Sequence, residues 1–137
     1  MSPKITEIIT ILDERSRLYE RALALGSSIP TLDIEGINEA LDERQRIMYI
    51  TERLSKQQNE LEHALALEPI TAAEMGFLRE QKARIRDFSP RFLEQEHRVN
   101  SILRTRMNAI RMKMATHNRS SSAILSYLRA PGAKPFV

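Results

Sequence analysis

The sequence contains no cysteine and no tryptophan, only four glycines in 137 residues, and 5% aromatic residues. Without cysteine there is no disulfide framework, no thiolate metal site and no thiol nucleophile. Scarce glycine and few aromatics argue against a sheet-rich fold and for an all-α one. No uninterrupted apolar run approaches the roughly 18–20 residues that a membrane span requires, and the N-terminus lacks a basic-then-apolar signal pattern. Gly-rich phosphate loops, serine–histidine pairings and nucleotide fingerprints are also missing, so neither an enzyme nor a cofactor is expected. A cytoplasmic, single-domain helical protein is the expectation, with 42% hydrophobic and 28% charged residues.

Acidic residues are missing from one end altogether. Residues 1–96 carry 13 basic and 18 acidic side chains (net −5), whereas residues 97–137 carry eight basic and no acidic ones (net +8). Such a basic end suits nucleic acid, an acidic protein surface, or packing against the chain's own acidic helices.

The stretch from Asp33 to Leu67 organises the chain. Apolar residues at Ile37, Leu41, Ile47, Ile50, Leu54, Leu61 and Leu65 lay one stripe along a helix, and Glu43, Arg44, Arg46, Glu52 and Arg53 fall on the opposite, wet side. Asp33 stands where an N-cap belongs. A helix of about 50 Å cannot bury its stripe against itself and needs partners. Before it, Ser2-Pro3 starts a helix whose face is Ile5, Ile8, Leu12, Tyr19 and Leu23, with Gly26 as its expected stop. After it, Thr71 and Glu74 have capping-box spacing. The third helix is expected from about Ala72 to at least His117, kinked near Pro90, because Leu78, Ile85 and Phe88 share a face with Phe92, Val99, Leu103, Met107, Ile110 and Met114. Short connections make the fold an antiparallel three-helix bundle of long helices over residues 1–118. The polar run Thr116–Ser122 is expected to fray it. Residues 119–137 then form a mobile tail with an apolar helical segment at Ile124, Leu125, Tyr127 and Leu128.

Two Glu-x-x-His pairs, Glu60 to His63 and Glu94 to His97, have the spacing of di-metal bundles. His63 lies roughly 160–200° around its helix from Leu61 and Leu65, and His97 about 120° from its stripe, so neither projects inward and no metal is expected. His117 falls on the apolar face without a positioned partner and reads as a boundary residue. Met107 and Met114 lie on the stripe as flexible filler. Met112 lies off it, which hints at a second contact surface.

Leu32 to Ile47, an aspartate start followed by spaced leucines and a basic residue, resembles the second-helix entry of FlgN-type flagellar export chaperones. Val99 to Arg104, with Asn100 closely followed by Leu103, resembles their third-helix pattern. Tyr127 with Ala130-Pro131-Gly132 is similar to the tyrosine-then-glycine element near their C-termini. The resemblance implies a cytoplasmic type III export chaperone, monomer or homodimer, that holds the C-terminal amphipathic helices of hook-filament junction proteins before export, its tail touching the export gate. It carries over to Asn100, Leu103 and Tyr127. The stripe itself adds Met107, Ile110 and Met114, and the apolar cluster beyond it adds Ile124 and Leu128.

Two other classes compete. A nucleic-acid-binding helical protein would use the basic end, but Arg104, Arg106, Arg111 and Lys113 are not interleaved with aromatics and follow no helix-turn-helix turn. A coiled-coil scaffold would show sustained strict heptads, which the apolar residues do not display.

Overall fold

The computed structural model describes residues 2–128, with side chains through residue 117. It contains α1 (Pro3–Ser28), a 3-10 turn (Ile29–Thr31), α2 (Ile34–Leu65), α3 (Ala72–Arg86) and α4 (Phe88–Leu128), and no strand among the described residues. Contacts group the chain into two compact units, Met1–Val99 and Asn100–Val137.

Local chemistry sets the helix starts. The Ser2 hydroxyl accepts from the Ile5 N–H, with Pro3 in the first turn. The Asp33 carboxylate accepts from the Gly36 N–H at 2.8 Å. At α3, the Glu74 N–H donates to Thr71 Oγ1 at 3.2 Å and the Thr71 N–H donates to Glu74 Oε1 at 3.3 Å, a reciprocal capping box. Each such cap satisfies amides that the helix leaves free and contributes about 1 kcal/mol.

The helix expected to run through Pro90 is two helices with one residue between them. Asp87 keeps helical dihedrals (φ −66°, ψ −18°), and its N–H still bonds the Ala83 carbonyl at 3.1 Å. Pro90 has no N–H to give the carbonyl of Arg86, and its ring crowds that same carbonyl. The interruption therefore falls one turn before the proline, leaving Pro90 in the first turn of α4. Further on, α4 continues through Thr116–Ser122, the run expected to fray, to Leu128.

Within Met1–Val99, α1 packs against α2 and α3. Lys4 pairs with Glu68 just past the end of α2 (2.6 Å), and Arg15 with Gln58 (2.7 Å) and Arg21 with Glu43 (2.8 Å) on α2, so the partners' numbers fall as α1 ascends. Ile5, Ile8, Leu12, Leu65 and Leu78 form the buried apolar cluster, with Ile9, Leu61, Ile70 and Ile85 against it. At the start of α4 the Tyr19 ring meets Phe88 and Phe92, centroids 5.3 and 5.5 Å away.

Burial follows a seven-residue repeat. On α2, Ile37, Arg44, Thr51, Gln58 and Leu65 are all buried, with Ala40 and Ile47 three residues after the first two. On α1, Ile5 and Leu12 continue to Tyr19 and Gly26, and Ile8 continues to Arg15, Ala22 and Ile29. Leu78, Ile85, Phe92 and Val99 keep the same step across α3 and α4. Polar residues occupy several of these seam positions, so the apolar residues alone do not display the repeat. The seam also reverses two assignments. Arg44, placed on the wet side, is only 8% exposed, and Ile50, placed on the stripe, is exposed. An ideal helix drifts about 20° per heptad from a seven-residue seam, enough to exchange such boundary residues over 30 positions.

Gly26 does not stop α1, which continues to Ser28. Its missing side chain instead admits Gln95: a Cβ on Gly26 would lie 2.1 Å from Gln95 Oε1. Gln95 Nε2 donates to the Leu23 carbonyl (2.7 Å) and Ser27 Oγ (3.2 Å), while Oε1 accepts from Arg44 Nη2 (3.0 Å). Arg44 Nη1 also donates to Glu96 at 2.6 Å, and its Nε is buried with no partner. One glutamine thus ties α1 and α2 to α4.

Arg44 yields a test of what this layer contributes. Arg44→Ala removes the guanidinium and strands Gln95, and is expected to lower stability by about 2–3 kcal/mol; water reaches the half-exposed Glu96, so the loss falls below that of a fully buried pair. Arg44→Met strands Gln95 in the same way but keeps most of the volume, and is expected to cost about 1 kcal/mol less than Arg44→Ala. Urea unfolding of both variants decides the matter: equal losses would show that the charge, not the packing, stabilises the layer.

Candidate protein-docking site

Leu103, Met107, Ile110 and Met114 follow one another at steps of four, three and four residues, so α4 carries them on one face. Leu103 is half-buried. The others are open to solvent: Met107 is 52% exposed, Ile110 41% and Met114 61%. Met112, on the far side of the helix, is 71% exposed. Asn100, one turn before Leu103, is also exposed. The side chains of Ile124, Tyr127 and Leu128 lie outside the described residues.

The polar surroundings of this ridge are one-signed. At about 100° per residue, Arg104 and Arg111 lie on one shoulder of the ridge, and Arg106 and Lys113 on the other. The last carboxylate in the sequence is Glu96, so no acidic side chain follows on α4. Dispersed single apolar residues are ordinary on a surface, but a contiguous row marks an interaction face. The thioethers of Met107 and Met114 suit it, because they repack against partners of different shape.

The histidines give no comparable arrangement. His63 is exposed, its Nδ1 3.0 Å from the Asn59 carbonyl oxygen, and His97 and His117 are exposed as well. Among the described residues no three His, Asp or Glu side chains come together to hold a metal ion. No helix among them is long and apolar enough to cross a membrane.

Sequence reasoning missed one surface. Met48, Tyr49 and Ile50 on α2 are exposed. Beside them a groove of about 490 Å³ is lined by Leu41, Arg44, Gln45, Met48, Phe92 and Glu96. The only available signal was that Met48 and Tyr49 are apolar residues off the assigned stripe. The groove's charged residues, Arg44 and Glu96, pair with each other.

No protein-family model, curated protein or solved structure matches this chain.

Proposed function

We propose that the chain is a cytoplasmic type III (flagellar) export chaperone. Arranged as an antiparallel three-helix bundle, it captures the C-terminal amphipathic helices of hook-filament junction proteins and prevents their premature assembly. The observation that supports this reading is the ridge of Met107, Ile110 and Met114, exposed on one face of α4. A client helix laid along it would bury both apolar faces at once, which is helix-in-groove recognition. While the client's helix is held, it cannot pair with its neighbours in the filament. Leu103 and Asn100 start the ridge, Ile124, Tyr127 and Leu128 are assigned to the same partner, and the tail to the export gate. The activity needs no catalytic residue, metal or cofactor.

The test is direct. Full-length chain mixed with a purified junction protein should elute as a discrete complex and delay its polymerisation, and deletion of the client's C-terminal helix should abolish both effects. A complex that survives the deletion would sink the reading.

The basic end gives a second expected result. If it serves protein, duplex DNA should bind only at the non-specific level, about 10⁻⁴ to 10⁻⁶ M near physiological salt. A salt-resistant, sequence-selective shift would favour the nucleic-acid reading instead. The seven-residue burial repeat favours a scaffold as the other alternative, which would reveal itself as an elongated homo-oligomer in sedimentation.

A further inference from the structure

We propose that the helix docking on α4 carries acidic residues along both edges of its apolar face, placed to meet Arg104 and Arg111 on one shoulder of the ridge and Lys113 on the other. The inference rests on the docking reading above and adds the chemistry of the partner.

The charges of this segment lie beside the ridge, not opposite it. A solubilising role would put them opposite the ridge, yet that face holds Ser101, Thr105, Asn108, Met112 and Thr116, none of them charged. The cations sit beside the ridge, roughly 60–100° from its centre, where the flanking positions of a paired helix form interhelical ion pairs. No carboxylate stands within one turn of Arg104, Arg111 or Lys113 on their own helix. Arg98 does pair with Glu94. Arg104, by contrast, has Asn100 and Asn108 four residues away, Arg111 has Met107 and Ala115, and Lys113 has Ala109 and His117. Carboxylates from outside would pair with these three cations.

Other occupants fit less well. A second copy docking ridge to ridge would set its basic rows against these, and like charges across an interface are repelled. A phosphate backbone has no use for an apolar ridge between the cations. Helices that lie on anionic membranes present a broad face with large aromatic anchors. This ridge is narrow, and residues 93–126 contain no aromatic residue.

The experiment uses the full chain and three designed helical peptides that share one apolar seam and differ only in their flanks: glutamate, glutamine or lysine. By fluorescence anisotropy at about 50 mM salt, the glutamate peptide should bind on the order of tenfold more tightly than the glutamine peptide, and the lysine peptide should not bind. The advantage should vanish by about 500 mM salt, as screening requires for exposed pairs. Combined Arg104→Glu, Arg111→Glu and Lys113→Glu should transfer the preference to the lysine peptide. The parent's salt series stands even if that variant fails to fold. Equal binding of the glutamate and glutamine peptides would overturn the acidic-partner inference while leaving the docking face intact. Failure of all three peptides would overturn the docking reading, and this inference with it. Two further results would also overturn it: binding to phosphatidylglycerol vesicles that the glutamate peptide cannot displace, and self-association abolished by Met107→Asp.

Discussion

Replacing Met107 and Ile110 together with aspartate is expected to abolish capture of an amphipathic helix while moving the melting temperature by no more than a few degrees. Each aspartate would be desolvated in the closed interface without a partner placed for it. Two central contact positions at about 2 kcal/mol each correspond to roughly a thousandfold loss of affinity. Folding has little to lose, because Met107 is 52% and Ile110 41% exposed. At position 107 the new carboxylate would stand three residues after Arg104 and four before Arg111, spacings that favour ion pairs along a helix. Serine at both positions separates the loss of apolar contact from the added charge, and should still weaken binding by at least about tenfold. Titration of a client helix and thermal unfolding measure the two halves of this expectation. A large fall in melting temperature would mean that the ridge belongs to the fold. Unimpaired capture by a folded double variant would end the docking reading.

The caps were readable in the sequence because their chemistry is local. Ser2 with Pro3, Asp33, and Thr71 with Glu74 each need one residue type at a fixed offset, and no distant contact alters that. The all-helical class followed from composition for the same reason. Arg44 shows where such reading stops. On an ideal wheel it belongs with Glu43 and Arg46, and only the cross-helix network of Gln95, Glu96 and Phe92 makes its burial tolerable. Those three residues lie about 50 positions further along the chain than Arg44. Gly26 shows the same limit: a glycine late in a helix suggests a stop, and nothing adjacent reveals that Gln95 fills the space.

At Pro90 the sequence identified the place but not the form. The preserved phase between Leu78 and Val99 reflects a seam that the single interruption at Asp87 does not shift, so phase alone could not separate a kinked helix from two helices in register. The exposed ridge was partly legible as well. An apolar face on the third helix longer than its partners could cover marked a surplus, and the exposures now locate that surplus at Met107, Ile110 and Met114.

Ile8→Ala and Ile110→Ala make the same chemical change at opposite ends of the burial scale, and their unfolding energies should differ by several kcal/mol. Ile8 is 0% exposed and sits in the cluster of Ile5, Leu12, Leu65 and Leu78. Truncating it removes transfer energy and leaves a cavity that helices tied at both ends cannot readily close, an expected cost of about 3–4 kcal/mol. Against a total stability of about 5–15 kcal/mol, that leaves a marginal protein. For a unit of this size the melting temperature should fall by roughly 12–30 °C. Ile110→Ala loses only a part-exposed side chain and gains helix propensity, so its cost should stay below about 1 kcal/mol. The order should invert for binding: Ile8→Ala, assayed well below its melting temperature, should capture a client helix as the parent does, and Ile110→Ala should not. Comparable losses of stability in the two variants would mean that the α4 ridge is buried in the native protein, leaving no free face for a partner.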